Sequence, residues 1–147
     1  MNQLELKVVT PERVVLDEPV DEVTTMTESG EITVLPGHVP LVTALTPGEM
    51  RVKEGGKEWY LAVSTGFLEV RPGNQVVVLA DTAERSEELD LAKIEEMREK
   101  AKALLEEKRR MGSADLAAAA GALERELARA KVARRRPPAH GGHLPHV

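Results

Sequence analysis

Between Ser86 and Arg136 the chain runs for 51 residues without a proline or a strand-like run, whereas the stretch before it is cut repeatedly by Gly and Pro. Such a change of grammar dictates two structural parts. From Leu4 to about Ala80 the sequence consists of short β-branched runs with period-two alternation where one face is wet: Leu4, Leu6 and Val8 point one way, Glu5 and Lys7 the other. Further runs follow at Val14 to Leu16, Val20 to Met26, Ile32 to Leu35, Leu41 to Leu45, Met50 to Lys53, Trp59 to Ser64, Phe67 to Val70 and Val76 to Leu79. Short strands at this spacing read as a sandwich or barrel. Gly55-Gly56, Gly73-Asn74 and Pro47-Gly48 supply the turn conformations that tight antiparallel connections require.

After Ser86, Glu, Lys, Ala and Leu dominate, which is helix composition. A first stripe, Leu91, Ile94, Met97, Ala101 and Leu104, steps by three and four and predicts one apolar helical face, with Asp90 or Ser86 as the cap. Met111-Gly112-Ser113 joins a Gly stop to a Ser start, so a turn of few residues is expected. The second stripe is Leu116, Ala120, Leu123, Leu127 and Ala130. Two helices of about 23 residues, roughly 35 Å each, then form an antiparallel hairpin. The fold class is therefore α+β: an antiparallel β-sandwich over residues 1–85, a two-helix hairpin over 86–136, and a disordered tail over 137–147.

Charge separates the parts as well. Residues 1–85 hold 14 acids and 7 bases, and residues 86–147 hold 11 acids and 13 bases, so the two parts meet different partners or each other. The whole chain is net −5, which disfavours nucleic-acid binding. Zero cysteines exclude disulfides, thiolate metal sites and Cys nucleophiles. No stretch approaches the about 20 continuous apolar residues that cross a bilayer, and the start lacks the pattern of a signal or transit peptide, so a cytoplasmic location is expected. With Trp59, Tyr60 and Phe67 as its three aromatics, the core must come from aliphatic residues.

Candidate chemistry is sparse. Neither GxxxxGK[ST] nor GxGxxG occurs, and no GxSxG elbow holds Ser64, so neither a nucleotide-hydrolysing loop nor a Ser64, Thr65 and His38 nucleophile set is supported. We expect no catalytic residues and no enzyme. His140, His143 and His146 have chelating spacing but lie in a segment without core-forming residues, so no metal site is assigned. His38 stands between Pro36-Gly37 and Val39-Pro40, where a stiff backbone displays it; taken alone it reads as a surface-loop histidine. Lys108 to Arg110 and Arg134 to Arg136 close their helices, complementing the dipole. Arg125 and Arg129 sit mid-helix one turn apart, placed either for solvent or for an acidic or phosphate partner.

Leu35-Pro36-Gly37-His38-Val39-Pro40-Leu41, Phe67-Leu68-Glu69-Val70 and Val78-Leu79-Ala80-Asp81-Thr82-Ala83-Glu84 together resemble the epsilon subunits of bacterial F-type ATP synthases. The similarity runs from about Leu4 to Ala133. It implies a non-catalytic rotor component of a proton-driven ATP synthase that binds the gamma subunit and rests on the ring of c subunits. Ser29 and Glu31 in one loop, and Gly37 and His38 in another, match the positions that face that ring. The hairpin resembles the family's regulatory arm, which lies beside the sandwich or extends toward the alpha and beta subunits and opposes ATP hydrolysis. Alanines bury about 0.8 kcal/mol apiece against about 2 for a leucine, so such an arm has low local stability.

Some members of that family bind ATP through an [IL]DxxRA motif and arginines on the second helix. Leu89, Asp90, Arg125 and Arg129 match, as does Glu84, but Lys93 stands for the expected Arg, Ile94 for the Ala, and Lys100 for a further Arg. Since Lys lacks the planar fork of Arg, weak ATP binding or none is expected, and no other cofactor. Thr65 before Gly66, and Ile32-Thr33, are further departures from the pattern. The resemblance implies a peripheral location on the cytoplasmic face of a bacterial plasma membrane, reached through the complex. The rival reading is a free-standing adaptor that presents a helical hairpin to one protein partner.

Overall fold

The structure is a computed structural model that describes residues 2–112 and 114–135. Ten strands come first: β1 (Leu4–Val9), β2 (Val14–Val20), β3 (Glu22–Thr27), β4 (Gly30–Val34), β5 (Leu41–Leu45), β6 (Gly48–Glu54), β7 (Lys57–Val63), β8 (Gly66–Arg71), β9 (Gln75–Ala80) and β10 (Ala83–Arg85). A 3₁₀ turn at Ser86–Glu88 leads to α1 (Leu91–Met111) and α2 (Leu116–Ala133). The chain is an α+β molecule: a curled β-sandwich followed by two helices that pack together.

Strand order along the sheet is β10-β7-β6-β3-β5-β8-β9-β1-β2, with β4 paired to β3. Neighbours are antiparallel except β1 and β9, which run parallel with Leu6 opposite Val76. Alternation in β1 follows the sequence pattern: Leu4, Leu6 and Val8 are fully buried while Glu5 and Lys7 are exposed. The core they enter is aliphatic apart from Trp59, and includes Leu16, Met50, Leu61, Leu68 and Val78.

The expected single run from Val20 to Met26 is divided. β2 ends at Val20 and β3 begins at Glu22, because Asp21 turns the chain and fixes it with its side chain, accepting from Gln3 Nε2 at 3.1 Å and from the Gly55 amide at 2.7 Å. Gly66 has a different necessity. A Cβ there would lie 2.0 Å from the Leu79 carbonyl oxygen, so only glycine lets β8 approach β9 so closely. Thr65 beside it is accommodated by donating its hydroxyl to Asp81 at 3.0 Å.

The first helix starts and stops on chemical cues, and both helices are shorter than expected, at 21 and 18 residues. Asp90 caps α1 by accepting from the Lys93 amide at 3.3 Å, and Gly112 ends it in the left-handed conformation at φ 61°. Ser113, the expected cap of α2, lies outside the described residues, and Asp115 directly precedes the helix.

The apolar stripes are the main correction. In α1 the buried residues are Ile94 and Leu105, while Met97 and Leu104 are about half exposed. In α2, Leu116 and Leu127 face outward; Ala130 is buried as its stripe expects, and Ala119, Ala128, Val132 and Ala133 are buried outside it. The reason is position: α2 packs against α1 and also against β6 and β7, so close approach on two sides favours its small residues. Leucine periodicity alone describes a helix with one partner. This helix has two.

Candidate functional site

Two groups of side chains stand out. The first comprises the loops at either end of β4. Between β3 and β4, Ser29 is exposed in a tight turn held by the Thr27 hydroxyl, which donates to the Gly30 carbonyl at 2.7 Å and accepts the Ser29 amide at 3.1 Å. Glu31 follows, also exposed and ion-paired to Arg51 of β6 at 3.2 Å. After β4, Gly37 adopts φ +87° and its amide donates to the Asn74 side-chain oxygen at 2.7 Å. His38 closes the same turn, its amide reaching the Leu35 carbonyl at 3.1 Å. Its Nδ1 lies 2.6 Å from the Val39 carbonyl; since a carbonyl only accepts, Nδ1 is the donor in this contact. Each loop is rigidly held. They are fastened to different parts of the sandwich, Glu31 to β6 and the Gly37 turn to the β8–β9 connection.

The second group joins the arm to the sandwich. Arg129 of α2 grips Glu84 of β10 with Nε at 2.8 Å and Nη2 at 3.0 Å, and its Nη1 reaches Glu126 at 2.8 Å. Burial opposes the Arg129 charge, but the hydrogen bonds it donates to Glu84 and Glu126 outweigh this and hold its pKa above the ordinary value. Arg125 lies 3.5 Å from Glu126, whose carboxylate is almost wholly buried. Glu84, Arg125 and Arg129, with Thr10, Arg13, Asp81 and Glu88, line a polar cleft of about 450 Å³ between the β1–β2 connection, β10 and α2.

Of the residues that sequence matching singles out for this arm, Glu84, Arg125 and Arg129 are gathered in the cleft. Leu89, Asp90, Lys93 and Lys100 are not. Leu89 packs with Ile94, Ala130 and Ala133 in a small separate cluster, Asp90 is spent on the α1 cap, Lys93 is exposed, and Lys100 pairs with Glu96 at 3.5 Å on the solvent side. Every cation in the cleft already has a carboxylate: Arg13 meets Glu88 at 2.6 Å. Among the described residues no group of three or more His, Asp or Glu is placed to hold a metal ion, and the tail histidines lie outside the described residues.

Sequence reasoning passed over Glu126 and Glu49, and read Asn74 as a turn residue and Arg135 as a helix-closing cation. Glu49 and Arg135 form a bidentate pair at 2.9 and 3.2 Å, and Arg135 also lies 4.7 Å above the Tyr60 ring. Hydrogen bonding to Glu49 raises the Arg135 pKa against the opposing effect of burial. One signal existed. Tyr60 and Ala62 occupy the outward phase of β7, and two apolar residues there call for a covering element.

The family model for the ATP synthase, Delta/Epsilon chain, beta-sandwich domain matches residues 3–86. A protein of Dehalococcoides mccartyi named ATP synthase epsilon chain is 48% identical over 137 residues, covering 92% of this chain and 96% of that one. This chain belongs to the ATP synthase epsilon chain family. Another relative of that name, from Herpetosiphon aurantiacus, is 43% identical over 133 residues, with 90% of this chain and 96% of its own covered. Among solved structures, a chain in the Euglena gracilis mitochondrial ATP synthase, from a complex of OSCP, F1 and c-ring, superposes with TM-score 0.72 at 31% identity, covering 84% of this chain and 77% of that one. Both helices therefore fall within the family likeness, since the epsilon chain relatives match over nearly their full length.

Proposed function

We propose that this chain is a non-catalytic central-stalk subunit of a proton-transporting ATP synthase, coupling the catalytic head to the c-ring and opposing ATP hydrolysis through its two helices. The observation that carries the reading is the separation of cores. The sandwich core contains no helical residue, and Ile94, Ala130 and Ala133 form a cluster of their own. The helices can leave without opening the sandwich. A gap of about 410 Å³, bordered by Pro47, Thr65, Gly121 and Ala122, further loosens the first half of α2 from the strands.

The gamma subunit is the proposed partner of the sandwich face across β5, β8, β9, β1 and β2. Ala44, Phe67, Leu79, Val9 and Val14 are successive register partners there, and Phe67, Leu79 and Val14 are exposed, a continuous apolar strip that suits a protein partner. Ser29, Glu31, Gly37 and His38 are the proposed c-ring contacts, two rigid polar turns offering one carboxylate and one imidazole. Alpha and beta subunits are the proposed partners of the extended arm. No helix among the described residues is long and apolar enough to cross a membrane, so attachment to the cytoplasmic face of the plasma membrane runs through the complex. ATP binding in the Arg125 and Arg129 cleft is weak on this reading, because a phosphate has to displace Glu84 and Glu126 from guanidinium groups they already satisfy.

Truncation after Arg85 is the deciding experiment. A folded sandwich that still joins the complex and raises ATPase activity of the assembled head is expected; unchanged hydrolysis removes the inhibitory role. Replacing Glu31 and His38 together by Ala should weaken attachment to membranes stripped of the catalytic head, and equal retention counts against the ring contacts. Tagged protein that brings down neither gamma nor catalytic subunits favours the adaptor reading.

A further inference from the structure

Glu49 of β6, Ala62 of β7 and Glu84 of β10 are register partners in one cross-strand row on the outer face of the sheet. Arginines of the arm take both ends of the row, Arg129 at Glu84 and Arg135 at Glu49. Arg135 lies two residues beyond the end of α2, so the arm is fastened past its last helical turn. Lys131 Nζ stands 3.9 Å from the same Glu49 carboxylate.

The burial of Glu49 is unusual for its phase. Met50 and Val52 enter the sandwich core, Glu49 is in register with the outward Ala62, and yet Glu49 is only 7% exposed. What covers it is α2 and the residues that follow, so this carboxylate is desolvated only while the arm is down. Desolvation offsets much of the attraction between such partners, which makes the pair a weak fastening that opens and closes readily. Removing either charge while the arm is down is a different matter. Without Arg135 the buried Glu49 carboxylate keeps only the more distant Lys131, and without Glu49 the half-exposed Arg135 loses its carboxylate, so either change weakens the contact. The planar guanidinium on Tyr60 adds a directional seat that an ammonium does not reproduce.

We propose that Glu49, Arg135 and Tyr60 form a reversible catch that holds the arm against the sandwich, and that release of this catch frees the arm without melting either helix. The proposal rests on the reading of the hairpin as a movable arm. It adds the element that sets how often the arm is free. Because Arg135 is at the very end of the arm, its loss opens the compact form rather than crippling it.

The test uses the full chain, whose lack of native cysteines allows donor and acceptor dyes at Lys57→Cys and Met111→Cys alone. Circular dichroism of each variant verifies that the helices persist. Glu49→Gln and Arg135→Gln should each raise the open-to-compact ratio about five-fold at low salt, Arg135→Lys by less, and the double variant by no more than either single one. Exchanging the charges, Glu49→Arg with Arg135→Glu, should recover most of the compact form, and about 0.5 M salt should open the unsubstituted arm. An arm that opens in salt but ignores both substitutions overturns the catch and leaves the movable arm standing. An arm compact under every condition overturns both. If the variants open the arm while ATPase activity of the assembled head stays level, the catch holds and the inhibitory reading fails.

Discussion

The Asn74 side-chain oxygen accepts the Gly37 amide at 2.7 Å, tying the turn that carries His38 to the connection between β8 and β9. Asn74 is also the one described residue other than glycine with a positive φ, 62°, and its carbonyl accepts the Glu5 amide at 2.8 Å. Asn74→Gly keeps that backbone conformation and removes the tether. Exchange of the Gly37 amide, followed by NMR, should then accelerate about five-fold, with stability changed by no more than about 1 kcal/mol. Asn74→Ala should cost about 1–2 kcal/mol in urea unfolding, because alanine pays for the left-handed backbone as well.

Gly66→Ala places a methyl against the Leu79 carbonyl and the Ala80 backbone, at 2.0 and 2.7 Å. Neither neighbour is a flexible side-chain tip. The strands must separate, so urea unfolding of the sandwich should show a loss of about 3 kcal/mol or more.

Met97 and Leu104 belong to the stripe that periodicity assigns to the helix interface, yet both face water. Leu104→Glu should change arm stability by less than about 0.5 kcal/mol. Ala130→Leu, at a fully packed position between the helices, should cost about 1–3 kcal/mol through overpacking. Helix hydrogen exchange in the full chain distinguishes the two, and the reverse ranking would restore the leucine stripe.

Arg129 and Arg135 both titrate above the ordinary arginine value in the folded state. A raised folded pKa contributes stability that is present throughout the range below the unfolded value and is lost only as pH rises through the folded one. The arginine side of both fastenings therefore gives no pH dependence between about pH 7 and 10. The compact fraction, read with the same pair of dyes, should stay level from about pH 7 to 9 while responding to salt.

How much of this was legible beforehand depends on whether a signal is local. Alternation in β1, the glycine stop at Gly112 and the aspartate cap at Asp90 each follow from chemistry within a few residues, and each is present where the sequence places it. The turns that hold Ser29, Glu31, Gly37 and His38 stand out by their residues, and Glu84, Arg125 and Arg129, singled out in the sequence, converge on one cleft. Asn74 read only as part of a turn, because its partner Gly37 is far away in the chain. Glu49 and Arg135 are 86 residues apart and carried no mark that linked them.

Sequence by itself determined that a sheet of short aliphatic strands precedes two helices, since backbone preference and side-chain periodicity act over neighbouring residues. Only the tertiary structure decided which faces of those helices are covered and which charges meet. α2 lies between α1 and the β6 and β7 surface, where close approach selects alanines over leucines and brings Arg129 and Arg135 onto two acids set on either side of Ala62. Ion pairing there is a property of the assembled surfaces, and no local pattern in either segment encodes it.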